Sequence, residues 1–221
     1  MPQVRFQFDK EKDNQNLWEL CNFSNPWESK DKLSLDLSLE KKWKGKNFKD
    51  SSNDIEDYLR VIQNSGYPEI FCECLNKSWE KINKDYFSRL ERLTNKSIFA
   101  ESINGYITTV GRSTNHLYNK SFTVSMHRQI LQALRTCGHE LLHLQVENYF
   151  GKNISNILGE KKFEIINESL TVLLNLEFKD LWFMEDSGYE PHKELRTFIS
   201  EEWKKEKDFD KLIDRCITRL K

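Results

Sequence analysis

Residues 139 to 143 read His-Glu-Leu-Leu-His and hold two of the five histidines in a chain of 221 residues. On a helix turning about 100° per residue, positions 139 and 143 share a face one turn apart. Two imidazoles so placed can each offer a ring nitrogen to one divalent ion at about 2.0 Å, and a glutamate directly after the first can hold a water without itself ligating. The same helix carries Ile130, Leu134, Cys137, Leu141 and Leu144 at steps of four, three, four and three, an apolar stripe that faces the core. His139 falls opposite that stripe. A histidine kept for packing belongs in or beside such a stripe, so the remaining alternative to a metal pair is a chance H-E-x-x-H on a wet surface.

A catalytic zinc takes three protein ligands and keeps a fourth position for water, so a further His, Glu or Asp is required. A metzincin continuation needs Gly at position 146 and His at 149, where this chain has Val146 and Tyr149. That branch is excluded. The helical stretch KKFEIINESLTVLLNLEF (161–178) offers another source. Phe163, Leu170 and Leu174 form one apolar face, Ile165, Val172 and Leu176 another, and between them runs a polar stripe of Glu164, Glu168, Thr171 and Asn175. Carboxylates caught between two apolar faces need a partner or a metal. A solvated edge of an amphipathic helix is the plainer alternative.

Together these two segments resemble the gluzincin metallopeptidases, zincins in which HExxH on one helix is joined by a Glu on a following helix. GHELLHL (138–144) is similar to their active-site helix, and IINESLTVLL (165–174) to the third-ligand helix of the aminopeptidase-like branch. The likeness covers roughly 50 residues and extends more loosely to the strands before the helix. It implies a zinc ion held by His139, His143 and Glu168, with Glu164 as the alternative third ligand and Glu140 as general base. Peptide or amide hydrolysis of a peptide or protein substrate follows from the resemblance, as does a zincin-like α+β fold, mostly helical, with a small mixed β-sheet packed on the active-site helix. SFTVS (121–125) then leads into that helix, and ITTVG (107–111) is expected as an edge strand along which an extended peptide pairs. The chain departs from the pattern in three places. Ile165, Ile166 and Ser169 stand where the aminopeptidase branch has Trp, Leu and Gly; GRSTN (111–115) lacks the Met of its amine-gripping motif; and Val172 stands where thermolysin-like members carry a ligand-orienting Asp. Glu164, Thr171 or Asn175 is left to orient a ligand.

An oxyanion forming in such a reaction needs a second donor. GYEPHKELR (188–196) offers Tyr189, His192 and Arg196, of which Tyr189 and His192 are the catalytic candidates, with capping or surface roles as the alternative. His116 and His127 have no partner at ligand spacing and read as structural or exposed. A zincin-like binding protein without turnover and a hydrolase of non-peptide amides remain as other function classes.

The elements that must position these residues follow from periodicity and punctuation. One domain spans 1–221, with a mainly helical part at 1–95 and the catalytic core at 96–221. LSLDLSLE (33–40) alternates like a half-buried strand. DIEDYLRVIQNSG (54–66) and residues 69–93 read as helices, the second burying Phe71, Leu75, Trp79, Ile82 and Phe87. Two or three strands are expected between 98 and 125, a helix from Met126 to Tyr149 capped at Gly151, another opened by Pro191 through Lys205, and a last one over DFDKLIDRCITRL.

Thirty-four basic against thirty-five acidic residues leave a formal charge of -1, so no bulk field recruits nucleic acid or an anionic membrane. The six tryptophans are dispersed and form no stacking array. The first residues lack the apolar core of a signal peptide, and no later run approaches the roughly 18 apolar residues of a membrane span. Five scattered cysteines, an odd number, fit free thiols in a reducing compartment. The expectation is a soluble, cytoplasmic protein. Cys72 and Cys74, spaced C-x-C, lack a second pair to complete a zinc set and read as side-by-side structural cysteines.

Overall fold

Apolar and polar side chains alternate in QVRFQF and make the first strand, β1 (Gln3–Phe8), with Val4 and Phe6 buried and Gln3, Arg5 and Gln7 exposed. The structure, a computed structural model, describes residues 1–22, 37–111 and 113–221. After β1 come four helices, α1 (Lys10–Asn22), α2 (Leu37–Trp43), α3 (Phe48–Gln63) and α4 (Tyr67–Thr94), and then β2 (Ser102–Thr108), β3 (Asn115–His116) and β4 (Ser121–Ser125). The sheet order is β1-β2-β4-β3, with β1, β2 and β4 parallel and the short β3 antiparallel on the outer edge of β4. The fold is therefore α+β, mostly helical, with a small mixed sheet.

One face of the sheet, with Phe6, Ile103, Ile107, Phe122 and Val124, joins α4 and the HELLH helix α5 (Ile130–Val146) in the main core. Each fully buried side chain of this kind contributes about 1.5–3 kcal/mol. The other face is polar and takes α1. Asp13, 1% exposed, accepts from Thr108 Oγ1 at 2.6 Å, from the Thr109 amide and hydroxyl at 2.8 and 2.6 Å, and from Gln63 Nε2 at 2.9 Å. A buried carboxylate with no cation beside it is tolerable only when its lone pairs are occupied in this way. A satellite cluster of Leu17, Leu20, Trp43, Ile55, Leu59 and Val110 fills the space under α1, α2 and α3.

Four sequence expectations change. ITTVG is not an edge strand: only Ile107 and Thr108 belong to β2, which is hydrogen-bonded to β1 on one side and β4 on the other, and residues 109–111 lie past its end. In LSLDLSLE, residues 33–36 lie outside the described residues, and 37–40 open α2, just past whose end Lys44 pairs with Glu40 one turn back at 3.1 Å. The helix expected over 54–66 starts earlier, at Phe48, because Asn47 caps it by accepting from the Asp50 amide at 2.9 Å. Gly151 is no cap: α5 runs through a π-turn (Glu147–Gly151) into α6 (Lys152–Leu158), and the run ends at Gly159, whose φ of 85° suits glycine.

The remainder is helical: α7 (Glu160–Leu170), α8 (Val172–Glu177) and α9 (Lys179–Trp182), then a 3-10 turn (Glu190–His192) leading into α10 (Lys193–Lys205), and α11 (Phe209–Leu220). Thr171, with ψ -13°, separates α7 from α8. No helix among the described residues is long and apolar enough to cross a membrane.

Candidate metal centre

From Ala133 to Val146 every residue of α5 is buried except Arg135 and His139, which are half-buried. The face that the apolar stripe leaves free is therefore covered, and the wet-surface alternative for HELLH does not hold. α7 and the loop after α9 cover it. His139 and His143 stand edge to face, ring centroids 4.4 Å apart at 85°, with their Nε2 atoms 2.8 Å from one another. Glu168 Oε2 lies 3.6 Å from Nε2 of His139 and 3.5 Å from Nε2 of His143. These donor atoms all fall within 4.8 Å of one another, and they are the one such group of three among the described residues. Glu164 is exposed and outside the group.

Two imidazoles and a carboxylate are a donor set suited to zinc. Two further observations fit a cation there. Nδ1 of His143 is buried without a hydrogen-bond partner, so that ring directs its polar contacts through Nε2 into the cluster. Nδ1 of His139 instead donates to Asp186 Oδ2 at 2.9 Å, which fixes the ring and leaves Nε2 as its inward atom.

The electrostatics carry the same signature. Burial alone would lower the His139 pKa, but Asp186 and Glu168 outweigh it and hold the ring well above its ordinary value. Burial alone would raise the Glu168 carboxyl, yet His143 and His139 hold it well below the usual carboxylate range. Asp186 is held down likewise, against burial, by His139 and Arg196.

Asp186 is the residue of this cluster that sequence reasoning missed. It sits in the loop DSG (186–188), far in sequence from both motif helices, whereas the family pattern directs the search to position 172, which is Val. The available signal was the polar stripe of the 161–178 stretch. Thr171 donates to Asp186 Oδ1 at 3.1 Å, and Asn175 brackets the Asp186 backbone, donating to its carbonyl at 2.8 Å and accepting from its amide at 2.6 Å. Both residues thus hold Asp186, which in turn faces His139.

Glu140 is buried, on the turn between the two histidines. His192 is buried in the 3-10 turn with the Tyr189 ring edge-on to it, centroids 5.8 Å apart. Burial and Arg196 lower the His192 pKa against the opposing charge of Glu168, which favours a neutral ring beside the cluster. His116 is exposed, and His127 Nε2 donates to the Thr109 carbonyl at 2.8 Å, a structural contact. Of GRSTN, Arg112 lies outside the described residues. Cys72 is buried and Cys74 exposed, so they are not side by side, and no disulfide joins cysteines among the described residues. Comparison of the chain with protein-family models, curated proteins and solved structures finds no match.

Proposed function

We propose that this protein is a zinc-dependent metallopeptidase of gluzincin type with a zincin-like fold, acting in the cytoplasm on a peptide or protein substrate. The observation that carries the reading is the convergence of Nε2 of His139, Nε2 of His143 and Oε2 of Glu168, with Asp186 behind His139. A zinc ion bound there would supply the lowered pKa of its water and polarisation of the scissile carbonyl. Glu140 takes the proton of the attacking water and returns it to the leaving nitrogen. Tyr189 and His192 donate hydrogen bonds to the oxygen on which negative charge develops. A ring nitrogen ligates a metal only when unprotonated, so metal binding would compete with protons at His139, whose pKa Asp186 and Glu168 hold up. The odd, scattered cysteines and the balanced net charge support a cytoplasmic setting without nucleic-acid or membrane partners.

The test is metal analysis of the purified chain followed by digestion of a mixed peptide library with the zinc-loaded protein. About one zinc per chain and chelator-sensitive cleavage are expected. Zinc without cleavage of any peptide would turn the assignment toward a binding protein or a hydrolase of other amides, and absence of zinc binding would remove the metal centre.

A further inference from the structure

Arg196 is a buried cation that makes no hydrogen bond to either imidazole, yet it grips the parts that aim them. Its Nη2 donates to the Asp186 carbonyl at 2.6 Å and stands 3.2 Å from Asp186 Oδ1. Its Nη1 donates to Thr171 Oγ1 at 2.5 Å and to the Glu168 carbonyl at 3.4 Å. One guanidinium therefore ties the C-terminal end of α7, which carries Glu168, to the loop that carries Asp186. A planar fork with donors at fixed angles can serve these acceptors at once, and an ammonium cannot.

The loop is shaped around this side chain. At Gly188, with φ of 63°, an added Cβ would stand 2.6 Å from Arg196 Cζ and Nε, so the backbone approaches the guanidinium more closely than any other residue permits. The Gly188 amide donates to Asp186 Oδ1 at 3.1 Å, on the oxygen that Thr171 and Arg196 already engage. With Oδ1 turned toward the Gly188 amide, the Thr171 hydroxyl and the Arg196 guanidinium, Oδ2 is the oxygen that faces His139.

We propose that Arg196 is a positioning residue that acts through Asp186 on His139 and thereby sets how tightly the centre holds its metal. It is not assigned as an oxyanion donor: its side chain is 8% exposed and both terminal nitrogens are engaged within the protein. The proposal rests on the metal-centre reading, and its test separates the two.

Zinc affinity is measured by chelator competition, and ligand geometry by the visible spectrum of the cobalt-substituted protein, for wild type, Arg196→Met, Asp186→Asn and the double variant. Circular dichroism of each metal-free form checks the fold. Each single variant is expected to bind zinc about 10–100-fold more weakly with a shifted cobalt band. The double variant should bind no more weakly than Asp186→Asn alone, because both changes break one link. Multiplying losses in the double variant, or wild-type affinity in a folded Arg196→Met, overturns the proposal and leaves the metal centre standing. Should Arg196→Met not fold, Arg196→Lys keeps the charge and loses the fork, and wild-type affinity there overturns the proposal equally. A folded wild type that takes up neither metal overturns both readings.

Discussion

Asp186 Oδ2 stands 2.9 Å from Nδ1 of His139, joining a loop near the C-terminal helices to the middle of α5. The contact makes three separate stretches of chain into one centre: HELLH supplies two nitrogens, α7 one carboxylate, and the loop after α9 the group that aims the first imidazole. Asp186 is itself buried and held by Thr171, Asn175, Gly188 and Arg196, so its orientation is set before any ligand arrives. A carboxylate fixed in this way raises the basicity of the imidazole it faces.

Replacing Asp186 by Asn keeps the shape and removes the charge. Zinc affinity is expected to fall about 10–100-fold, with the metal-free fold retained. Chelator competition reads the affinity directly, and an unchanged dissociation constant would show that His139 needs no orienting partner.

Glu140 and His143 separate chemistry from ligation. Glu140→Gln is expected to keep about one zinc per chain and lose peptide cleavage, since the amide cannot accept the proton. His143→Ala is expected to lose the zinc, one of three donors being gone. Unchanged turnover in the Gln variant would take Glu140 out of the mechanism.

The motif helices were legible in the sequence because their chemistry is local. His139 and His143 lie one turn apart, and Glu168 stands out as a carboxylate between apolar faces. What supports them was not legible, because it is tertiary. Asp186 reaches His139 across a loop whose spacing carries no period, and Glu164 and Glu168 could not be told apart until α7 was seen to turn Glu168 toward the rings. β1 alternates at Val4 and Phe6, but six residues in a charged N-terminal region give a weak signal, and its place became clear only through the parallel pairing with β2. That pairing also makes β2 internal, which no reading of ITTVG by itself could reveal.

Gly138, next to His139, leaves space for an aromatic wall. An added Cβ would stand 2.6 Å from Trp182 Cη2, 2.8 Å from Trp182 Cζ3 and 3.1 Å from Tyr86 Cε2. Both rings are fully buried, and Tyr86 also donates to the Gly138 carbonyl at 2.7 Å, so neither can swing aside. Alanine gains about 1 kcal/mol of helix propensity, whereas overpacking against rigid rings costs about 1–3 kcal/mol. Gly138→Ala is therefore expected to be destabilising on balance and to weaken zinc binding by displacing His139. Urea unfolding of the metal-free protein checks the first effect, and a variant as stable as wild type would mean that the rings yield.

The buried thiols are expected to make folding sensitive to alkali. Burial, reinforced by Glu69, pushes Cys72 up to about 12 from 9.0, and burial pushes Cys216 up to about 12 from the same value. A folded-state pKa above the unfolded one means that the folded thiol resists losing its proton. The resulting stability is complete below about pH 9 and is lost as pH rises from there toward 12. Urea midpoints should therefore fall between pH 8.5 and pH 10.5, about two units spanning the onset of this window, and fall less in a Cys72→Ala, Cys216→Ala variant. In the native protein at pH 8 a thiol reagent should titrate one cysteine, the exposed Cys74, and all five after denaturation. Rapid native modification of more than one, or an identical alkaline slope in the double variant, would place the sensitivity elsewhere than in these buried sulfurs.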